Sequence, residues 1–276
     1  MKKRLLLLAP LLAAVSLGAG ERYYDGYSYV GIGFENAAYQ ETVFIPNLGS
    51  VKSKAVVSSP VYSSGTLVKV NERYDFSLDF SSTLLPSKTT ENWDSPSGAL
   101  QRNDYDLLTN NAMILAHYKI TPQHRIVAGP NYTLNTFKRY TWVQLDPRIA
   151  IPVGVIEERS ASLSATLGYW YENNTAALEG WRIKGHALLG LPVWQQTNNT
   201  ASGGDVVFND IGGYNTDVSL YAGYALFKGL EIGAFVGGNY QKRNGGSQFD
   251  SAGNNVVWPE NTLMIYRGGL NAVWKF

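Results

Sequence analysis

The stretch Met264-Ile265-Tyr266-Arg267-Gly268-Gly269-Leu270-Asn271-Ala272-Val273-Trp274-Lys275-Phe276 decides the fold. Met264, Tyr266, Gly268, Leu270, Ala272, Trp274 and Phe276 fall at every second position. Ile265, Arg267, Gly269, Asn271, Val273 and Lys275 lie between them. A period of two places these sets on opposite faces of a β-strand. One face is apolar or small with aromatics toward its ends. The other carries Arg267, Asn271 and Lys275.

The same rhythm recurs upstream. Tyr74, Phe76, Leu78 and Phe80 oppose Asp75, Ser77, Asp79 and Ser81. Leu163, Ala165, Leu167, Tyr169 and Tyr171 oppose Ser162, Ser164, Thr166, Gly168 and Trp170. Ile183, Ala187, Leu189, Leu191 and Val193 oppose Arg182, Lys184 and His186. Val218 to Leu226 and Leu230 to Val236 are joined by the tight link Lys228-Gly229, as in a hairpin. Weaker strands are expected over 27–36, 66–71, 106–120 and 125–136. Short links at 71–72, 121–124 and 228–229 contrast with long polar stretches at 37–65, 86–105, 195–213 and 242–261. The segment 139–160 reads either as two short strands around Asp146-Pro147-Arg148 or as one loop folded over a mouth. The first gives 12 strands and is favoured, because 149–156 is too apolar for a solvated loop. The second gives 10.

Composition narrows the class. Charged residues make up 16% of the chain, against about 25% in an ordinary soluble domain. Aromatics reach 13%, and there are 28 glycines and no cysteine. The formal net charge is +1, which offers no basic footprint for nucleic acid. Mean hydropathy is -0.16. No stretch is continuously apolar over the roughly 20 residues a spanning helix needs. Alternating strands hide a membrane signal of this kind. At the N-terminus, Lys2, Lys3 and Arg4 precede a short apolar run and the small residues Ser16, Gly18, Ala19 and Gly20. That pattern reads as a secretory signal peptide over 1–20, leaving 21–276 as one β domain.

These features together resemble a Gram-negative outer-membrane β-barrel. In that class a terminal Phe with alternating upstream aromatics serves as an assembly signal, matched here by Phe276, Trp274, Leu270 and Tyr266. The resemblance implies a single all-β, antiparallel transmembrane barrel in the outer membrane. It implies outer-membrane lipid around the wall, and the barrel assembly machinery and periplasmic chaperones as partners in biogenesis. The short links and both chain ends would face the periplasm.

Function would then lie on the inward face. Arg182, Lys184, His186, Arg267 and Lys119 form a basic set, and Asp75, Asp79 and Glu231 an acidic one. Charges lining a lumen select ions and small polar solutes, so a porin-like diffusion channel is the first expectation. The same charges could pair and plug the barrel, since barrels of about 8 strands are filled by side chains. A closed barrel that binds a partner or surface through its long loops is the alternative, with Trp93 and Trp258 as contacts. Trp170, Trp181, Trp194 and Trp274 are expected at the membrane interfaces. No catalytic residues are expected. The outer-membrane phospholipase pattern of His and Ser two apart is missing, and so is the Asp-x-His of the omptin proteases. Asp104 and Asp106 supply only an Asp-x-Asp. No cofactor is implied, and no histidine pair has metal-ligand spacing.

Overall fold

The computed structural model describes residues 26–173, 180–200, 207–209, 212–227, 229–249 and 253–276. The expected signal peptide lies outside these residues, as does Lys228. Fourteen strands follow in order: β1 (Gly26–Ile45), β2 (Gly49–Lys69), β3 (Tyr74–Thr83), β4 (Lys88–Ser95), β5 (Gly98–Lys119), β6 (His124–Gln144), β7 (Ile156–Glu172), β8 (Gly180–Asn199), β9 (Val207–Phe208), β10 (Tyr214–Phe227), β11 (Leu230–Arg243), β12 (Gly246–Phe249), β13 (Asn255–Trp258) and β14 (Glu260–Lys275).

All pairings are antiparallel, and β1 pairs with both β2 and β14, which closes a ring. The main sheet has 12 strands. The ring itself runs through ten staves: β1, β2, β3, β5, β6, β7, β8, β10, β11 and β14. Strand β4 lies above β3 in the same stave and pairs with β2 and β5. Leu84, Leu85 and Pro86 bulge out between β3 and β4, and Leu84 N–H still bonds Pro60 O at 2.9 Å. A bulge is where a sheet tolerates proline. Strand β9 is a two-residue outrigger on β8.

The two strands beyond ten are therefore β4 and β9, and neither comes from 139–160, where two short strands were expected. Residues 139–144 prolong β6, 156–160 begin β7, and 145–155 form the loop between them. That loop folds over the mouth, with Ile149 packed against Leu48, Val51 and Leu100. Leu145 and Asp146 donate their backbone N–H groups to Leu100 O at 2.9 and 3.0 Å. Arg148 clamps Asp146 through Nε at 3.0 Å and Nη2 at 2.6 Å. These donors hold the Asp146 carboxyl down to about 2. Its folded-state value lies below the usual aspartate range, so the clamp is intact above about pH 4 and is lost as pH falls through about 2. A carboxyl-carbon NMR titration of Asp146 should show its midpoint near 2; a midpoint near 4 would mean that the clamp does not form in solution.

The stretches 37–65, 86–105 and parts of 195–213 and 242–261, read as loops, are largely strand. Strand β5 has 22 residues, roughly 70 Å at about 3.3 Å each. Spanning the bilayer takes only about 9–11 residues, so the wall rises well beyond it. Within the bilayer the outward residues are apolar: Ile32, Phe34, Phe76, Ile114, Leu167, Leu189, Leu220 and Leu270 are all exposed. Higher on the wall the outward positions turn polar, with Asn36, Ser50, Lys52, Lys54, Ser58 and Arg102 exposed. There the inward positions become apolar, and Ala37, Tyr39, Ala55, Val57, Leu107 and Phe137 are buried.

The short connections lie at the end where Gly26, the first described residue, meets Phe276. Gly26 and Phe276 exchange backbone hydrogen bonds of 3.2 Å there. Asn71 Oδ1 accepts the N–H groups of Arg73 and Tyr74 at 2.8 and 2.9 Å, a side chain closing its own turn. Gly229 supplies the φ of 87° that the β10–β11 turn requires.

Candidate functional site

The residues expected to line a lumen do face it, but the structure brings the two signs together instead of leaving them along a path. At the periplasmic end, Arg125 is 1% exposed and Glu172 0%. Glu172 accepts from Arg125 at 3.3 Å and Arg182 at 3.2 Å, and Arg182 reaches Glu231 at 3.0 Å. Asp75 is held by Lys119 at 2.7 Å and Arg125 at 3.4 Å. Lys275 approaches Glu231 at 3.8 Å, and Tyr221 O–H donates to Glu231 at 2.5 Å. Arg182 lies 4.1 Å from the centroid of the Tyr27 ring, and Lys184 lies 4.6 Å from that of Tyr29. Removing these ions from water costs several kcal/mol each, which only close pairing offsets. Such a layer spends its charge internally.

Above it lies a cavity of about 130 Å³, lined in part by Asp79, Lys184, His186, Asp217, Ser219 and Arg267. Asp79 accepts from Tyr29 O–H at 2.7 Å. His186 contacts Asp217 through Nε2 at 2.5 Å and Ser219 through Nδ1 at 3.1 Å. Alternation along single strands does not reveal this Ser–His–Asp set, because Ser219 faces His186 across the β8–β10 pairing. The residue types are those of a nucleophile, base and orienting acid, but the two ring nitrogens are exchanged relative to the serine-hydrolase triad, in which Nε2 faces the serine and Nδ1 the aspartate. The cavity around it has room for a few waters and none for a polymer. Trp170, expected at the membrane interface, stacks on His186 at 5.1 Å and is 3% exposed. Its position on the polar face of β7 was the signal for that inward placement. Trp181 and Trp194 are outward and exposed.

The next layer is polar. Arg267 Nε donates to Glu35 at 3.1 Å, and Thr83 and Thr109 donate to the same carboxylate at 2.5 and 3.2 Å. An apolar plug follows: Tyr39, Tyr105 and Phe137 pack with ring centroids 4.9–6.1 Å apart, walled by Leu107, Leu263 and Ile265.

Above the plug sits a cluster that sequence reading did not single out. Arg139 donates to Glu91 at 2.8 Å, Glu41 at 3.1 Å and Glu158 at 3.4 Å. Tyr39 O–H donates to Glu41 at 2.5 Å, and Asn103 Nδ2 to Glu91 at 2.9 Å. Ser53 also bonds Glu91. The Arg139 guanidinium lies 5.5 Å from the Trp93 ring centroid and 5.7 Å from that of Tyr39.

This cluster floors an external cleft of about 560 Å³. Its walls include Trp93, Trp142, Pro152, Phe208, Val257 and Trp258. Trp142 reaches the cleft through a bulge. Asp104 pairs with Tyr140 and Arg102 with Val143, so Thr141 and Trp142 stand opposite Asn103 alone. Thr141 takes a φ of 55°. One extra residue flips the alternation and re-aims a side chain, and Trp142 donates Nε1–H to Gly154 O at 3.2 Å. Trp258 is 6% exposed and packs on Phe208 at 5.3 Å, so it builds the wall instead of standing free in a loop. Asp104 and Asp106 lie on the outer wall, bonded to Lys88 at 2.6 Å and Tyr140 at 2.9 Å. Tyr266 and Leu270 project outward and exposed, as their alternation predicts.

No family model and no curated protein sequence matches this chain. Solved structures do. The outer membrane protease OmpT from Escherichia coli is similar at a TM-score of 0.66 and 12% identity, covering 91% of this chain and 96% of that one. The outer membrane protein OprG from Pseudomonas aeruginosa gives a TM-score of 0.38 at 10% identity, covering 91% and 97%. At this identity the likeness to OmpT concerns the fold alone. With the closed ring and the apolar outward belt, it makes this chain a β-barrel of the bacterial outer-membrane type.

Proposed function

We propose that the protein is a closed outer-membrane barrel that binds a ligand at its external mouth, and that it is neither a diffusion channel nor an enzyme. The observation that carries this reading is the Arg139 layer. A guanidinium shared by three buried carboxylates seals the lumen directly beneath an aromatic-walled cleft. The apolar plug below it and the paired charges at the periplasmic end support the same conclusion. A rigid wall that presents a concave, largely apolar site with a few convergent polar groups is the usual form of a binding site. Against catalysis stands the small size of the cavity that holds Ser219, His186 and Asp217, about 130 Å³. Tyr266, Leu270, Trp274 and Phe276 retain the proposed part of assembly signal, supported by the outward placement of Tyr266 and Leu270.

Planar-bilayer recording on folded, heat-modifiable protein tests the reading. The expected result is a silent membrane. Steady single-channel steps would overturn it and return Lys184, Arg182 and Asp79 to the role of selectivity residues.

A further inference from the structure

The floor of the external cleft is unbalanced. Glu158 is 1% exposed and uses one oxygen, Oε2, on Arg139. Its other oxygen, Oε1, is buried without a hydrogen-bond partner. A buried carboxylate oxygen left in this state is costly, and native structures rarely keep one without a use. Arg139 offers it little more, since its Nε, Nη1 and Nη2 are already directed to Glu91, Glu158 and Glu41. A second guanidinium, Arg243, lies near this floor, 5.8 Å from the Trp258 ring centroid. Two arginines thus face three carboxylates, Glu41, Glu91 and Glu158, and burial pushes the Glu158 carboxyl up to about 8, so near neutral pH it holds a proton that a cationic guest would displace.

The walls fit the same kind of guest. Trp93, Trp142, Phe208 and Trp258 surround the space above Glu158. Aromatic faces attract cations, most strongly where water is excluded. The protein already uses this pairing internally, where Lys184 lies among Tyr27, Tyr29 and Tyr221 at 4.6–5.1 Å.

We propose that the external cleft binds a small organic monocation with an apolar body, its ammonium group over Glu158 and its body against Trp142 and Phe208. This rests on the reading of the barrel as a closed, mouth-binding protein and names the ligand class of that site. The three acidic side chains of the floor disfavour an anion, and its depth and polarity disfavour a purely apolar guest.

The test is a tryptophan-fluorescence titration of the folded barrel in detergent with benzylammonium chloride, whose N–H groups can reach Glu158 Oε1. Sodium benzenesulfonate and benzyl alcohol serve as anionic and neutral counterparts at matched ionic strength. The expected result is a saturable response to the cation alone. Glu158→Gln should weaken it at least about tenfold, the loss of one charge-assisted contact. Trp142→Ala, which leaves the ion-pair layer intact, should also weaken it and serves if Glu158→Gln fails the heat-modifiability check for folding. Equal responses to the three probes, no response to the cation, or cation binding unchanged in both variants would overturn the proposal. Bilayer conductance on the same preparation separates the two readings. A silent barrel that ignores the cation loses only the ligand class, whereas a conducting barrel loses the closed-barrel reading whatever the titration gives.

Discussion

Arg139→Ala should destabilise the barrel by about 3–5 kcal/mol, the cost of removing one partner from a buried ion pair. The effect belongs at the upper end of that range, because three carboxylates lose a shared counter-charge at once. Glu91 keeps Ser53 and Asn103, and Glu41 keeps Tyr39, but Glu158 loses the one hydrogen-bond donor it has among the described residues. Urea unfolding in detergent should show a lower midpoint with an unchanged slope. Pairing Arg139→Ala with Glu158→Ala should cost less than the sum of the single changes, since the second removes a charge that the first has stranded. A loss under 1 kcal/mol for Arg139→Ala would mean that water reaches this layer and that the seal does not exist.

Glu172→Ala should be comparably damaging at the opposite end, again by about 3–5 kcal/mol. Glu172 is fully buried and lies between Arg125 and Arg182, and Tyr27 O–H reaches it at 3.4 Å. Without it two guanidiniums lose the acceptor they share, leaving Asp75 to one and Glu231 to the other. Replacing Glu172, Arg125 and Arg182 together by apolar residues of similar size should recover much of the loss, because it removes the charges along with the pairing. Conductance separates the two ends. Glu172→Ala should leave the bilayer silent, since the apolar plug and the Arg139 layer stand above it. Steady conduction by this variant would show that the periplasmic layer alone had closed the lumen.

The membrane-embedded half was legible because lipid forces apolar residues outward and leaves the charged ones inside. Asp75, Asp79, Lys119, Arg182, Lys184, His186, Glu231 and Arg267 are on the face that alternation assigns them. The outer half reverses the rule. Beyond the bilayer, water takes the place of lipid, so Asn36 and Lys52 face out while Tyr39 and Val57 face in. Alternation with apolar residues outward therefore marks 37–65 and 86–105 as loops, and with them hides Glu41, Glu91 and the wall around Arg139. Trp142 was hidden by a second effect, since a bulge at Thr141 shifts the phase of β6. Ser219 and Asp217 escaped because their partner His186 sits on the neighbouring strand, a relation that only register reveals.

The strand β14 contributes to the interior at every height. It sends Lys275 to Glu231, Val273 to the cluster with Tyr27 and Leu67, Arg267 to Glu35, and Leu263 and Ile265 to the apolar plug. Its 16 paired positions with β1 form one wall joint. Parting that joint would strip the buried Glu35 of Arg267 and wet the aromatic plug. Sideways breathing at this joint is therefore suppressed, and a bound molecule would find no way into the bilayer between the first and last strands.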